Sequence, residues 1–254
     1  MIRTAPTPAE TARTTATVPQ IILPTERIVG HLVAKRLPLP PVEAAMYEYV
    51  LAGNGLFVRG ERSHLKAQVH AHDFEVRGLP EIEAFMDWEC SRVPALAVSK
   101  MLELSREAVD DRGRPKEKLF HLIYEGPRYW HLTVPKQEGS ASKVRPLNSD
   151  PNSSYARALI EVHSHHEMPA FWSETDNRDE TGFRLYAVLG DIFRNPTLRV
   201  RLGIYGSFLE LPADVVFNLP AGVNAQPNNE VELEYWRAGS LEDYDGPRDE
   251  HSRG

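Results

Sequence analysis

The sequence contains a single cysteine, Cys90, in 254 residues, so no internal disulfide can form. A disulfide-free chain fits a reducing, cytoplasmic setting. No apolar run approaches the length needed to span a bilayer, so no membrane association is expected. The Thr-, Ala- and Pro-rich start, Met1 to Gln20, lacks the basic segment and apolar stretch of a secretory signal. A block of Lys and Arg is missing as well. The formal net charge is −7 and the basic residues are scattered. Phosphate recognition needs clustered cations, so no nucleic-acid partner is expected. There is no internal repeat.

Composition and turn chemistry divide the chain into four parts. Residues 1–22 read as a flexible tail, too poor in large apolar residues to pack. Residues 23–90 read as a small N-terminal β-rich domain. Within it Tyr47 to Leu51 predicts a strand, Ala52-Gly53-Asn54-Gly55 a turn, and Leu56-Phe57-Val58 the start of a partner strand. His64 to Val76 alternates loosely and adds strands, and Gly78-Leu79-Pro80 closes the unit. Residues 91–220 change period. Ser91 reads as an N-cap with Pro94 in the first helical turn, and Ala97, Met101, Leu104 and Ala108 recur at helical spacing. Asp110 to Pro115 ends that helix. Leu119 to Tyr124, His131 to Val134, Ala158 to His165, Arg184 to Gly190 and Leu198 to Tyr205 read as strands, the last with Leu198, Val200, Leu202 and Ile204 on one face. Helices and strands in one segment predict an α/β layered domain. Residues 221–254 read as a mostly flexible acidic tail.

The chemistry concentrates in one short stretch. His163-Ser164-His165 is followed after seven residues by Ser173-x-x-Asp176. Residues two apart on a strand point to the same side, so Glu161, His163 and His165 share one face. Two imidazoles on one face can chelate one metal ion, and Asp176 offers a third ligand once the intervening loop returns. Two histidines, one carboxylate and an open position make a tetrahedral catalytic zinc site. Such an ion generates hydroxide near neutral pH. Each half of the motif also has a plain reading. A His-x-His is commonly two polar residues on a solvated strand face, and Ser173-x-x-Asp176 can simply cap a helix. The capping and ligand readings are compatible, because a ligand can sit in a first helical turn. A second His-x-His, His70-Ala71-His72-Asp73, has no Ser and Asp at the required spacing and reads as surface polar alternation.

His-x-His, seven residues, Ser-x-x-Asp resembles the signature of the JAB/MPN/Mov34 (JAMM) zinc metalloproteases. The resemblance implies a deaminase-like mixed β-sheet flanked by helices. It implies Zn2+ held by His163, His165 and Asp176, with Ser173 beside the metal steadying the tetrahedral intermediate. The family also uses an upstream glutamate as general base and then general acid. Glu117, in Arg114-Pro115-Lys116-Glu117 after a helix and before an apolar strand, matches that position. Glu161, on the histidine face, and Glu125, closing the same apolar run, are the rival bases. The test among the three is reach to the attacking water.

The motif departs from the family at three points. His166 and Trp172 stand where prolines are usual, and Leu119-Phe120-His121-Leu122 replaces the common Gly-Leu-Leu. None removes a catalytic group. His166 reads as an exposed loop residue or an extra polar group at the site mouth. Further blocks, Asp179-Glu180-x-Gly182-Phe183-Arg184-Leu185-Tyr186 and Arg201-Leu202-Gly203-Ile204-Tyr205-Gly206 among them, resemble the bacterial group called PRTRC system protein A. That resemblance spans residues 23 to 220. It implies a hydrolase acting on an amide or isopeptide bond at the C-terminus of a ubiquitin-like protein or its conjugate, with ThiF-type activating-like proteins as further partners. Two other functions stand beside it: a non-catalytic MPN-type scaffold, and a RadC-like nucleic-acid-associated metalloprotein, which the scattered basic charge disfavours.

Overall fold

Gly53-Asn54 forms the two-residue turn its composition predicts. It joins β2 (Tyr47–Ala52) to β3 (Gly55–Arg62) as an antiparallel hairpin, with Gly55 at φ 140. A Cβ at Gly55 would collide with the carbonyl of His72, so glycine is required there. The computed structural model describes residues 27–127, 129–147 and 150–225. The tail expected over 1–22 and most of that expected over 221–254 lie outside these residues.

Around the hairpin a five-stranded sheet assembles from β1 (Val29–Val33), β2, β3, β4 (Leu65–His72) and β5 (Phe85–Trp88), in that order. The Gly78-Leu79-Pro80 turn does not close the unit. The chain returns beyond it as β5, and the Asn54 side chain ties the turn to the intervening loop. It donates to Ile82 O at 2.8 Å and accepts from Ile82 N at 3.1 Å.

Next comes α1 (Ala95–Arg106). Its N-cap is Pro94, without a side-chain cap, whereas the sequence pointed to Ser91. The Ser91 carbonyl instead accepts from Trp130 Nε1 at 3.0 Å. The buried stripe is Val98, Met101, Leu102 and Ser105. Ala97 and Leu104 flank it, and Ala108 falls beyond the helix end, so the real stripe is rotated slightly from the one that periodicity suggested.

The larger sheet is built from β6 (Leu119–Tyr124), β7 (Trp130–Thr133), β10 (Ile160–Ser164), β11 (Phe183–Gly190), β12 (Thr197–Ile204) and β13 (Ser207–Leu211). Between β7 and β10 stand a two-stranded ribbon, β8 (Gln137–Gly139) with β9 (Val144–Pro146), and the short α2 (Ser154–Arg157). The sheet order is β13-β12-β11-β10-β6-β7. After α4 (Ala213–Val216), β14 (Asn224–Ala225) pairs with β12. β10 and β11 are parallel, which demands a crossover. That crossover contains α3 (Glu174–Asp179), and it carries the second half of the metal motif.

Register divides this sheet into two chemically distinct faces. Phe120, Val162, Ala187, Val200 and Leu211 pair across neighbouring strands on one face, all fully or nearly fully buried. One residue along, the ladder reads His121, Glu161, Tyr186, Arg201, Glu210. The apolar face shares a continuous core with α1 and with Val58, Leu65, Met86 and Trp88 of the five-stranded sheet. Trp88 stacks on Trp130 with ring centroids 5.9 Å apart. The fold is therefore mixed α/β, mostly strand with short helices. Among the described residues no helix is long and apolar enough to cross a membrane.

Candidate metal centre

Ser164 docks the start of β6 onto the end of β10. Its hydroxyl accepts from Lys118 N at 3.0 Å and its own N–H donates to Lys118 O at 3.0 Å. That stitch brings Glu117, forty-six residues before His163 in sequence, beside the histidines. His163 lies on β10 opposite Leu119 and beside Val188. His165 follows the strand and is held by its N–H to Leu189 O at 2.8 Å.

Three motif side chains converge. His163 Nε2 lies 3.3 Å from His165 Nε2 and 3.6 Å from Asp176 Oδ1. The three ligand atoms all lie within 4.8 Å of one another, and no other metal-capable cluster of this kind occurs among the described residues. Tetrahedral zinc with bonds of about 2.0–2.2 Å holds its ligand atoms roughly 3.3–3.6 Å apart. The donor set fits in its protonation too. His165 Nδ1 lies 3.1 Å from Pro169 O, a contact only the Nδ1–H tautomer satisfies, and this leaves a bare Nε2 lone pair aimed into the cluster. Burial pushes both imidazoles below the ordinary histidine range, so they remain neutral. Two buried imidazole nitrogens facing each other, one of them the bare His165 Nε2, make a donor pair that a cation can bridge.

Ser173 and Asp176 form the helix cap that the sequence allowed, and Asp176 also turns toward the histidines. Ser173 is the N-cap of α3. Asp176 N donates to Ser173 Oγ at 3.1 Å, while Ser173 N and Oγ donate to Asp176 Oδ2 at 2.6 and 2.7 Å. The capping box thus occupies Oδ2 and leaves Oδ1 facing His163.

The three candidate bases separate by position. Glu117 Oε1 lies 3.8 Å from His165 Nε2. Glu117 is buried, and that burial, with the Asp176 charge second, pushes its pKa up to about 8. Glu161 sits on the histidine face as strand geometry required, but its carboxylate is turned to His121 Nε2 at 3.4 Å and an Arg184 guanidinium nitrogen at 3.6 Å. Glu125 closes the far end of β6, where it faces Arg157 at 4.0 Å. Of the three, Glu117 alone brings its carboxyl within 4 Å of a motif histidine.

His166 departs from the reading as an exposed loop residue. It is buried, its carbonyl accepts from Ile192 N at 2.8 Å, and its ring Nε2 has no partner. Trp172 presents an edge to His163, with centroids 6.3 Å apart, and its ring face to Arg201. The His70-x-His72 pair does not converge on a metal. His70 Nε2 lies 3.3 Å from Asn54 O and its ring packs on Phe57, while His72 is exposed. A register shift at Leu56/Phe57 places a bulge between the two.

Sequence reasoning missed the buried polar groups behind the centre, above all Arg201, Glu180 and Arg184. The pattern Leu198-x-Val200-x-Leu202-x-Ile204 put Arg201 on the opposite face and gave it no role, and Arg201 is buried. Comparison of the chain with models of known protein families and with curated proteins returned no match, so the family resemblance rests on these residues and their spacing.

Proposed function

We propose that the chain is a JAMM-type zinc-dependent hydrolase that cleaves an amide or isopeptide bond at the C-terminus of a ubiquitin-like protein or its conjugate. The carrying observation is the convergence of His163, His165 and Asp176 with a buried, high-pKa Glu117 at their side. Zinc, when bound by the two imidazoles and the Asp176 carboxylate, supplies a Lewis acid for the scissile carbonyl and lowers the pKa of water. Glu117 holds the attacking water and takes its proton. A carboxyl with a pKa near neutrality can then return that proton to the leaving amine. The Ser173 hydroxyl, whose one proton goes to Asp176 Oδ2 in the capping box, would turn that proton to the oxyanion as it develops.

The substrate class follows from the resemblance and has local support. β7 is an edge of the larger sheet, and the β8–β9 ribbon abuts the Glu117 backbone, where Glu117 N donates to Ser140 O at 2.8 Å. An extended tail can add as a strand to such an edge. ThiF-type activating-like proteins as partners and a cytoplasmic location belong to the same proposal. A non-catalytic scaffold usually loses a ligand or the base, whereas all five groups are in place here. The net charge of −7 likewise counts against a nucleic-acid role.

The test is cleavage of a linear fusion of a bacterial ubiquitin-like protein by the wild type, Glu117→Gln and His163→Ala, each with and without chelator. Loss of activity on chelation and in His163→Ala, with a fall of about 10²–10⁴-fold in Glu117→Gln, is the expected result. Cleavage that survives chelation sinks the zinc reading. Stoichiometric zinc without cleavage of any fusion or peptide selects the scaffold.

A further inference from the structure

We infer that Arg201 is a positioning residue for the proposed metal centre, clamping both sides of the segment that delivers Ser173 and Asp176. This rests on the metal reading above. Arg201 lies on β12, two strands from the histidines, and makes no contact with a ligand atom in the ion-pair or hydrogen-bond geometry. Its guanidinium nevertheless reaches both sides of α3. Nε donates to Glu180 Oε2 at 2.7 Å, just after the helix, and an Nη donates to Asn177 Oδ1 at 2.7 Å, next to Asp176 in sequence. The guanidinium plane also lies over the Trp172 ring at 4.1 Å, on the residue before the Ser173 N-cap, and over the Phe208 ring at 3.7 Å on β13.

The consequence is mechanical. α3 has six residues and no buried side chain of its own, so packing alone does not fix it. Helices this short are unstable without tertiary support. The three attachments above, Trp172 before the cap, Asn177 within the helix and Glu180 after it, all meet on one side chain. A planar, always-charged fork can stack and bridge two acceptors at once. A lysine ammonium has no planar fork with which to stack and bridge at the same time. Groups behind a metal ligand that fix its orientation typically change metal affinity by about 10–100-fold when removed.

The test uses the full chain as wild type, Arg201→Met, Arg201→Lys and Asn177→Ala. Each is titrated with Co2+ in competition with a chromophoric chelator, and the visible absorption of the bound cobalt is recorded. Hydrogen exchange of the backbone amides over 172–180 is measured in the metal-free proteins. Arg201→Met should weaken Co2+ binding about 10–100-fold, alter the cobalt spectrum and speed exchange over 172–180 while β10 and β11 stay protected. Lysine should not restore these properties, and Asn177→Ala should shift them in the same direction by less. Wild-type affinity, spectrum and exchange in Arg201→Met overturn the proposal. If Arg201→Met fails to fold, unchanged exchange and spectrum in Asn177→Ala overturn it instead. A wild type that binds no Co2+ overturns the metal reading, and the exchange data then still decide the clamp.

Discussion

Glu117 holds a proton at a pH where an exposed carboxyl would have lost it. Burial raises its pKa from the ordinary 4.5 to about 8, and the Asp176 charge adds to the effect. In the unfolded chain the carboxyl ionises near its ordinary value. Between those two values the folded state therefore binds more protons than the unfolded state. Against the opposite contribution of the lowered His163 below pH 6.5, the Glu117 contribution to the stability of the metal-free protein falls as pH rises through this window and levels off above it. Glu180 acts with the same sign, since burial raises it to about 8 in spite of Arg201. Glu117→Gln removes one of the two contributions. In thermal unfolding with chelator present, the variant should gain on the wild type steadily from pH 5 to pH 8. A difference in Tm that does not change with pH would mean that Glu117 is not held protonated. The two histidines and Asp176 were legible because a fixed spacing of ligand types is a local signal. Glu117 was legible only through the family pattern. Its rival Glu161 satisfies the strand-face rule equally well, and what turns its carboxylate aside is Arg184 and His121, partners brought from β11 and β6 that no local pattern contains.

At the scale of elements, the loop between β10 and α3 is set by close backbone packing against the end of β11. Gly190 faces Pro169 and Ala170 so tightly that a Cβ there would collide with the Ala170 backbone nitrogen. Asp191 N donates to Met168 O at 2.6 Å and Ile192 N to His166 O at 2.8 Å, so the loop cannot retreat without losing both bonds. Pro169 O is also the acceptor that orients His165. Gly190→Ala should therefore destabilise the fold by about 1–3 kcal/mol through overpacking and weaken metal binding besides. Urea unfolding and chelator competition check the two effects separately, and a variant with unchanged metal affinity would uncouple the loop from the centre. Ser173→Ala should cost about 1 kcal/mol through loss of the α3 cap, and it should lower turnover in the fusion assay as well. Strands β2, β3, β6, β11 and β12 were readable from period and turn residues, because each buries one face or both. β1, β5, β13 and the β8–β9 ribbon were not, being short and half exposed, with pairing supplied by distant strands. α3 announced its cap but not its support, which is Arg201 on another strand.

For the molecule as a whole, the five-stranded sheet supplies one wall of the core that also covers the apolar face of the larger sheet. Val58, Leu65, Val69, Met86 and Trp88 are each at most 5 % exposed and belong to one cluster with Met101, Leu122, Val162 and Leu185. The seam has polar and aromatic ties too. Arg62 donates to Phe183 O at 2.7 Å, and Tyr47 stacks on Tyr205 at 4.6 Å between centroids. A fully buried large apolar side chain is worth about 1.5–3 kcal/mol, so five of them approach the roughly 5–15 kcal/mol that holds a whole domain together. Residues 91–225 without that wall should not form a stable fold, although they contain every residue of the candidate centre. The expected outcome for this fragment is insoluble expression, or a soluble chain without a cooperative urea transition and without Co2+ binding at concentrations that saturate the full chain. In the full chain, tryptophan fluorescence should report a single transition, because Trp88 and Trp130 stack across the seam. A fragment that unfolds cooperatively and binds Co2+ like the full chain would show that the N-terminal sheet is an appendage, and that the centre owes it nothing.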